Sequence, residues 1–233
     1  MDSRTAIFII GVSALGVING AATAHGQVVR VQPGLIERAM PEFSLPMLDG
    51  RILALSQFRG RAVVLVFPRG KVADADGSDP HWCQLCQYQY AELAELEKTT
   101  SFRSALNAEV LFVLPYGGNE VAEWTSIIPK QVATVDRWRQ QVKAWRDLLP
   151  RPVAFTEGPG ATPFPILCDA DQAVSKGLGL FTLEWDRAKV EQNVPTVFVL
   201  DKTGVIRFKY TSQNTFDRPS AGYLVQVIQR LVD

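Results

Sequence analysis

His81-Trp82-Cys83-Gln84-Leu85-Cys86 holds two of the chain's three cysteines at C-x-x-C spacing. An apolar, β-branched run, Ala62-Val63-Val64-Leu65-Val66-Phe67, lies upstream, and a stretch of helical periodicity follows. A cysteine that opens a helix has its thiolate stabilised by free backbone N–H groups and the helix dipole. A second cysteine one turn further on can close a disulfide with it. The spacing and placement therefore predict a redox pair rather than a structural crosslink.

The remaining composition fits an exported globular protein. The 233 residues are enough for one well-buried domain, with 47% apolar and 21% charged residues. Lys+Arg and Asp+Glu are equal at 24 each, which argues against nucleic acid as a partner. Residues 1–24 read as a signal peptide: Arg4, an apolar run over 6–18, and Ala22-Thr23-Ala24 at the cleavage position. The run is short for a membrane span. An uncleaved anchor, with transient membrane contact through this segment, is the alternative. Export to a periplasmic or extracellular space would suit disulfide chemistry. Three cysteines cannot all pair within the chain.

Working outward from the pair, residues 25–40 read as a linker and 41–233 as the folded domain. Residues 43–55 predict two short strands around an Asp49-Gly50 turn, and residues 62–67 a strand buried on both faces. Residues 71–80 predict a polar loop, 83–98 a helix and 109–114 a strand. An insertion spans about 115–163. Within it, Val135, Trp138, Val142, Trp145 and Leu149 predict one amphipathic helix over 132–149. Residues 164–167 read as a strand and 172–178 as a short helix. Residues 196–200 and 205–210 form a hairpin around Asp201-Lys202-Thr203-Gly204. A last helix starts at the N-cap Ser220. The order predicts an α/β fold, a central mixed sheet flanked by helices, with a helical insertion before the C-terminal β-hairpin.

This order and three motifs resemble the thioredoxin-like superfamily, and within it the redoxin branch of alkyl hydroperoxide reductase/thiol-specific antioxidant (peroxiredoxin-like) proteins. The motifs are F-S-L-P-M-L-D-G-R (43–51) with L-S-Q-F-R-G-R-A-V-V-L-V-F (55–67), W-C-Q-L-C (82–86), and V-P-T-V-F-V-L-D-K-T-G-V-I-R-F (194–208) with F-D-R-P-S (216–220). The resemblance covers residues 41–233. It implies a cis Pro195 beside the cysteines, with the Val194 backbone open to an extended substrate and Thr196 completing the motif. The chain departs from the peroxidase pattern. Pro80 stands where a threonine or serine is usual, Asp76 replaces a proline, and Asn193-Val194-Pro195 occupies the place of an arginine.

On this basis Cys83 is expected to be the nucleophile, the more exposed and more acidic of the two, and Cys86 the resolving thiol. Trp82 shields the pair or simply packs. The leading expectation is a thiol–disulfide oxidoreductase. The alternatives are a two-cysteine peroxidase acting on hydroperoxides, and a non-enzymatic metal-binding or folding module. Partners would be a thiol reductant protein and either a disulfide-bearing protein or a hydroperoxide. No cofactor is expected. Gln84-Leu85 carries no charge, which points to a reductant or moderate exchanger. Metal is not expected, since zinc would need His25, His81 or Cys168 to complete its ligands. The acidic run over 74–79 lacks EF-hand spacing. Arg69 reads as a solvated loop residue, His81 as solvated, and Cys168 as a small buried residue.

Overall fold

The computed structural model describes residues 35–153, 155 and 163–232. Residues 1–24, read from the sequence as a signal peptide, and most of the residues read as linker lie outside them. A five-stranded sheet forms the centre, in the order β11-β10-β3-β6-β7. Strands β3 (Ala62–Phe67), β6 (Ala108–Leu114) and β7 (Ile166–Cys168) run parallel; β10 (Thr196–Leu200) is antiparallel to β3, and β11 (Ile206–Thr211) to β10.

Strand β3 is buried at every position because both its faces are covered. Ala62, Val64 and Val66 enter one core, and Val63, Leu65 and Phe67 the other. Helices α1 (Gln84–Thr100), α4 (Ile128–Gln141) and α7 (Ala221–Val232) contribute to the first core. The second is closed by the β1 (Ser44–Pro46)–β2 (Ile52–Ala54) hairpin and by Leu178 and Leu180, which follow the short α6 (Ala173–Gly177). Each fully buried Leu, Val or Phe contributes on the order of 1.5–3 kcal/mol. Residues 35–40, read from the sequence as linker, already join the domain. Glu37 N–H donates to the Ile206 carbonyl at 2.8 Å, and Met40 is buried.

The connections hold elements the periodicity did not announce. A two-stranded ribbon, β4 (Lys71–Val72) with β5 (His81–Trp82), ties the ends of the polar loop together directly before α1. The short α2 (Phe102–Ala105) precedes β6, and α3 (Gly118–Ser126) precedes α4. The single helix expected over 132–149 is two. Val142 is extended (φ −125°, ψ 122°) and separates α4 from α5 (Lys143–Leu148). Before β10 stands an unexpected hairpin of β8 (Phe181–Trp185) and β9 (Ala188–Asn193), turning at Asp186 and Arg187, both at positive φ.

Candidate functional site

Cys83 is the N-cap of α1, and Cys86 lies one turn inside. The chain reaches this helix from β3 through Arg69 and Gly70. The Gly70 carbonyl accepts the Cys83 N–H at 2.8 Å. Gly70 sits at φ +83°, and a Cβ there would stand 2.3 Å from Cε2 of Tyr116, so glycine is required twice over. The Tyr116 hydroxyl accepts the Lys71 N–H at 2.9 Å and donates to the Glu191 carbonyl at 2.6 Å. Strand, ribbon and β9 are thereby fixed around the helix start.

Both cysteines are free thiols, with Cys83 1% exposed and Cys86 fully buried. Cys86 Sγ accepts the Arg69 backbone N–H at 3.3 Å and Arg218 Nη2 at 3.6 Å; the same Nη2 is 4.0 Å from Cys83 Sγ. The thiols also hydrogen-bond each other. The hydrogen bond Cys83 gives Cys86, together with burial, holds the Cys83 thiol well above its ordinary ionisation range. Burial pushes Cys86 the same way, but the Cys83 S–H, the Arg218 charge and the Arg69 N–H outweigh it, and Cys86 falls well below that range. The two sulfurs of the reduced pair thus share one proton, and the Arg218 charge beside them favours a single thiolate. No side chain caps α1 at Cys83, whereas Cys86 collects three donors.

Arg69, expected in solvent, is 1% exposed. Nε donates to Gln192 Oε1 at 2.6 Å, Nη2 to the Trp185 carbonyl at 2.9 Å, and Nη1 to Thr215 Oγ1. Its guanidinium also lies 4.8 Å from the Trp185 ring. Thr215 in turn is held by the Asp186 carboxylate. The β8–β9 hairpin therefore buries this cation beside the cysteines. Arg218 is anchored by the Asp217 carbonyl at 2.8 Å and Ser212 Oγ at 3.2 Å. It lies in the F-D-R-P-S string, but nothing local to that string pairs it with cysteines more than 130 positions away.

The other expected site residues fare differently. Trp82 packs rather than shields: it is buried, edge-to-face with Tyr116 at 5.2 Å and beneath the Lys71 ammonium at 5.0 Å. The described residues contain no cis peptide, so Pro195 is trans. Val194 is not open to an added strand. Its N–H donates to the Leu180 carbonyl at 2.8 Å, and its carbonyl accepts Thr196 Oγ1 at 3.0 Å. The chain entering β10 from the β8–β9 hairpin is thereby already paired. Thr196 stands opposite Phe67 in the sheet. Cys168 is buried in β7, and burial pushes its thiol up. His81 is exposed, with Nδ1 2.8 Å from the Asp79 carbonyl. Among the described residues no cluster of three His, Cys, Asp or Glu could hold a metal.

Cys83 lines a cleft of about 300 Å³ together with Arg69, Asp186, Thr215, Trp138, Trp145 and Phe216. Such a site can hold a thiolate against a cation, admit a small molecule and close a disulfide within one helical turn.

The model of the AhpC/TSA family matches residues 36–209. No curated protein matches the chain by sequence. Solved structures that share the fold include the following three. The Plasmodium vivax 2-Cys peroxiredoxin in its reduced state is 16% identical, with TM-score 0.52 over 84% of this chain and 81% of that one. Mycobacterium tuberculosis AhpC is 16% identical, with TM-score 0.52 over 84% and 92%. Xanthomonas campestris Peroxiredoxin Q is 12% identical, with TM-score 0.53 over 82% and 92%.

Proposed function

This chain belongs to the AhpC/TSA family and is a thiol-dependent oxidoreductase, and from that premise we propose that it reduces small hydroperoxides through a Cys83–Cys86 dithiol–disulfide cycle. The observation that carries this reading is the burial of two hydrogen-bonded thiols on one helical turn beside Arg218. A protein disulfide needs an exposed sulfur to meet. A sulfur only 1% exposed, in the lining of a 300 Å³ cleft, favours a small oxidant instead. That ranks peroxide reduction above the protein-disulfide exchange expected from C-x-x-C alone.

The reduced pair shares one proton and one charge beside Arg218, and Cys83 is the sulfur that lines the cleft. The pair reacts with the proton on Cys86. The Cys83 thiolate, 4.0 Å from Arg218 Nη2, attacks one peroxide oxygen. An S–O bond forms, the O–O bond breaks, and the leaving alkoxide takes a proton from water. Cys86 then attacks the Cys83 sulfenic acid, and the displaced hydroxide leaves as water with the Cys86 proton. In sum, the thiol–thiolate pair, one hydroperoxide and one proton give disulfide, alcohol and water. A thiol reductant restores the pair.

The test is the second-order rate of the reduced protein with hydrogen peroxide, read by free-thiol count. The expected rate is far above that of an ordinary thiol, with one Cys83–Cys86 disulfide formed. Cys83→Ser abolishes the reaction, and Cys86→Ser stops it at the sulfenic acid. An ordinary thiol rate, with rapid reaction toward a protein disulfide, would establish disulfide exchange in its place. We further propose export, on the sequence of residues 1–24. Among the described residues no helix is long and apolar enough to cross a membrane. N-terminal sequencing of the cell-derived protein tests cleavage after Ala24.

A further inference from the structure

The cleft beside Cys83 is lined by unlike groups. Some are polar: Arg69, Thr215, Asp186, His81 and Gln84. Three are rings that adjoin as one wall, Trp138, Trp145 and Phe216. They come from α4, α5 and the loop after β11. The Trp138 and Trp145 centroids are 5.0 Å apart, and Trp145 meets Phe216 nearly edge-on at 5.6 Å. Trp145 also packs on the cluster of Cys83, Leu85 and Cys86.

This wall is built. The extended Val142 folds α5 back so that two tryptophans seven positions apart adjoin. Arg139 locks the fold, donating from Nη2 to the Pro150 carbonyl at 3.1 Å and from Nε to the Leu149 carbonyl. Arg146 Nη1 donates to the carbonyls of Arg139 and Gln140, each at 3.0 Å. Yet α5 itself buries no residue, and Phe216 remains 47% exposed. Besides meeting one another, the three rings line an open volume at the lower end of the ~300–1,000 Å³ typical of small-molecule sites.

We propose that Trp138, Trp145 and Phe216 form a specificity wall that selects hydroperoxides bearing a planar aromatic group. The inference rests on the peroxide reading above and names the substrate class of that site. The hydroperoxide head meets Cys83 and Arg69, and the ring packs edge-on or offset against the tryptophans. Hydrogen peroxide has no group for the wall. Compact alkyl hydroperoxides have apolar bulk but no ring face.

Pre-reduced full-length protein is mixed separately with cumene hydroperoxide, tert-butyl hydroperoxide and hydrogen peroxide, and disulfide formation is followed by thiol count. The aromatic peroxide is expected to react on the order of a hundredfold faster than hydrogen peroxide, with tert-butyl hydroperoxide between, the scale at which apolar pockets discriminate. In Trp145→Leu the aromatic-to-hydrogen-peroxide ratio falls at least about tenfold; in Trp138→Phe, which keeps a ring, it largely survives. Equal ratios for wild type and Trp145→Leu would overturn the wall while leaving peroxide reduction intact. A second arm needs neither a variant nor turnover. Cumyl alcohol, the aromatic product, is expected to slow alkylation of Cys83 by iodoacetamide in the wild-type protein, whereas tert-butanol does not. Absence of protection would overturn ring binding even if every peroxide proved inert.

Discussion

Replacing Arg218 with leucine removes the guanidinium that faces both sulfurs, at 3.6 Å and 4.0 Å. Hydrogen bonds to a charged group contribute about 1.5–3 kcal/mol, so the ionisation constant of the pair falls roughly tenfold or more. Cys86 lies below its ordinary range partly because of Arg218. Without it the ionisation moves to higher pH. The peroxide rate of Arg218→Leu is therefore expected to trail wild type most at low pH and to converge as pH rises. A uniform loss across the profile would sink this role. Gly70→Ala tests the approach to the helix. The new Cβ meets Tyr116 at 2.3 Å in a left-handed backbone, at an expected cost of about 2–4 kcal/mol in urea unfolding. An unchanged midpoint would refute the constraint. At this scale the sequence disclosed the sulfurs but not their cations. Cys83 and Cys86 announce themselves by spacing. Arg218 lies 132 positions from Cys86, and the burial of Arg69 depends on Trp185, Gln192 and Thr215, to which no local signal at residue 69 points.

The turn between β10 and β11 shows how one side chain can hold an element. Burial opposes ionisation of Asp201. Its bonds from Thr203 Oγ1, the Val205 and Thr203 N–H groups and Arg207 Nε prevail and bring it down to about 2. A depressed carboxylate adds stability that is present above the unfolded-state value of about 3.9 and is lost as pH falls through the folded-state value. From the shift, that amounts to roughly 2 kcal/mol. Asp201→Asn is expected to lose about that much at neutral pH and to flatten the acid limb between about pH 4 and 2. A parallel acid limb would show that the carboxylate does not titrate with folding. This hairpin was legible because Asp201 and Gly204 mark its turn. The β8–β9 hairpin was masked at its turn: Phe181-Thr182-Leu183-Glu184-Trp185 and Ala188-Lys189-Val190-Glu191 do alternate apolar and polar residues, but Asp186-Arg187 takes positive φ without the glycine that marks a hairpin turn. The break at Val142 was equally silent. The apolar positions kept helical spacing on both sides of it, so periodicity alone joined α4 to α5.

The redox poise of the pair belongs to the whole molecule. Read locally, the uncharged Gln84-Leu85 between the cysteines points to a reductant. The fold argues the other way, because it brings Arg69 from the end of β3 and Arg218 from the loop after β11 to the same thiolate. Among the described residues neither guanidinium lies within 4 Å of a carboxylate. Asp186 is engaged by Thr215, and Asp217 by Tyr210 and Gln213. In the dithiol state the thiolate of the pair answers these cations; in the disulfide state that charge is gone. Oxidation therefore strands positive charge in a desolvated site, which stabilises the reduced form and raises the potential. The pair is expected to equilibrate with glutathione at a potential above the about −270 mV of thioredoxin, and so to oxidise readily available thiols. In Arg218→Leu the potential should fall by about 30 mV for each tenfold loss of thiolate stabilisation. A wild-type value at or below that of thioredoxin, or no shift in the variant, would mean that the guanidinium groups serve packing rather than the charge of the pair.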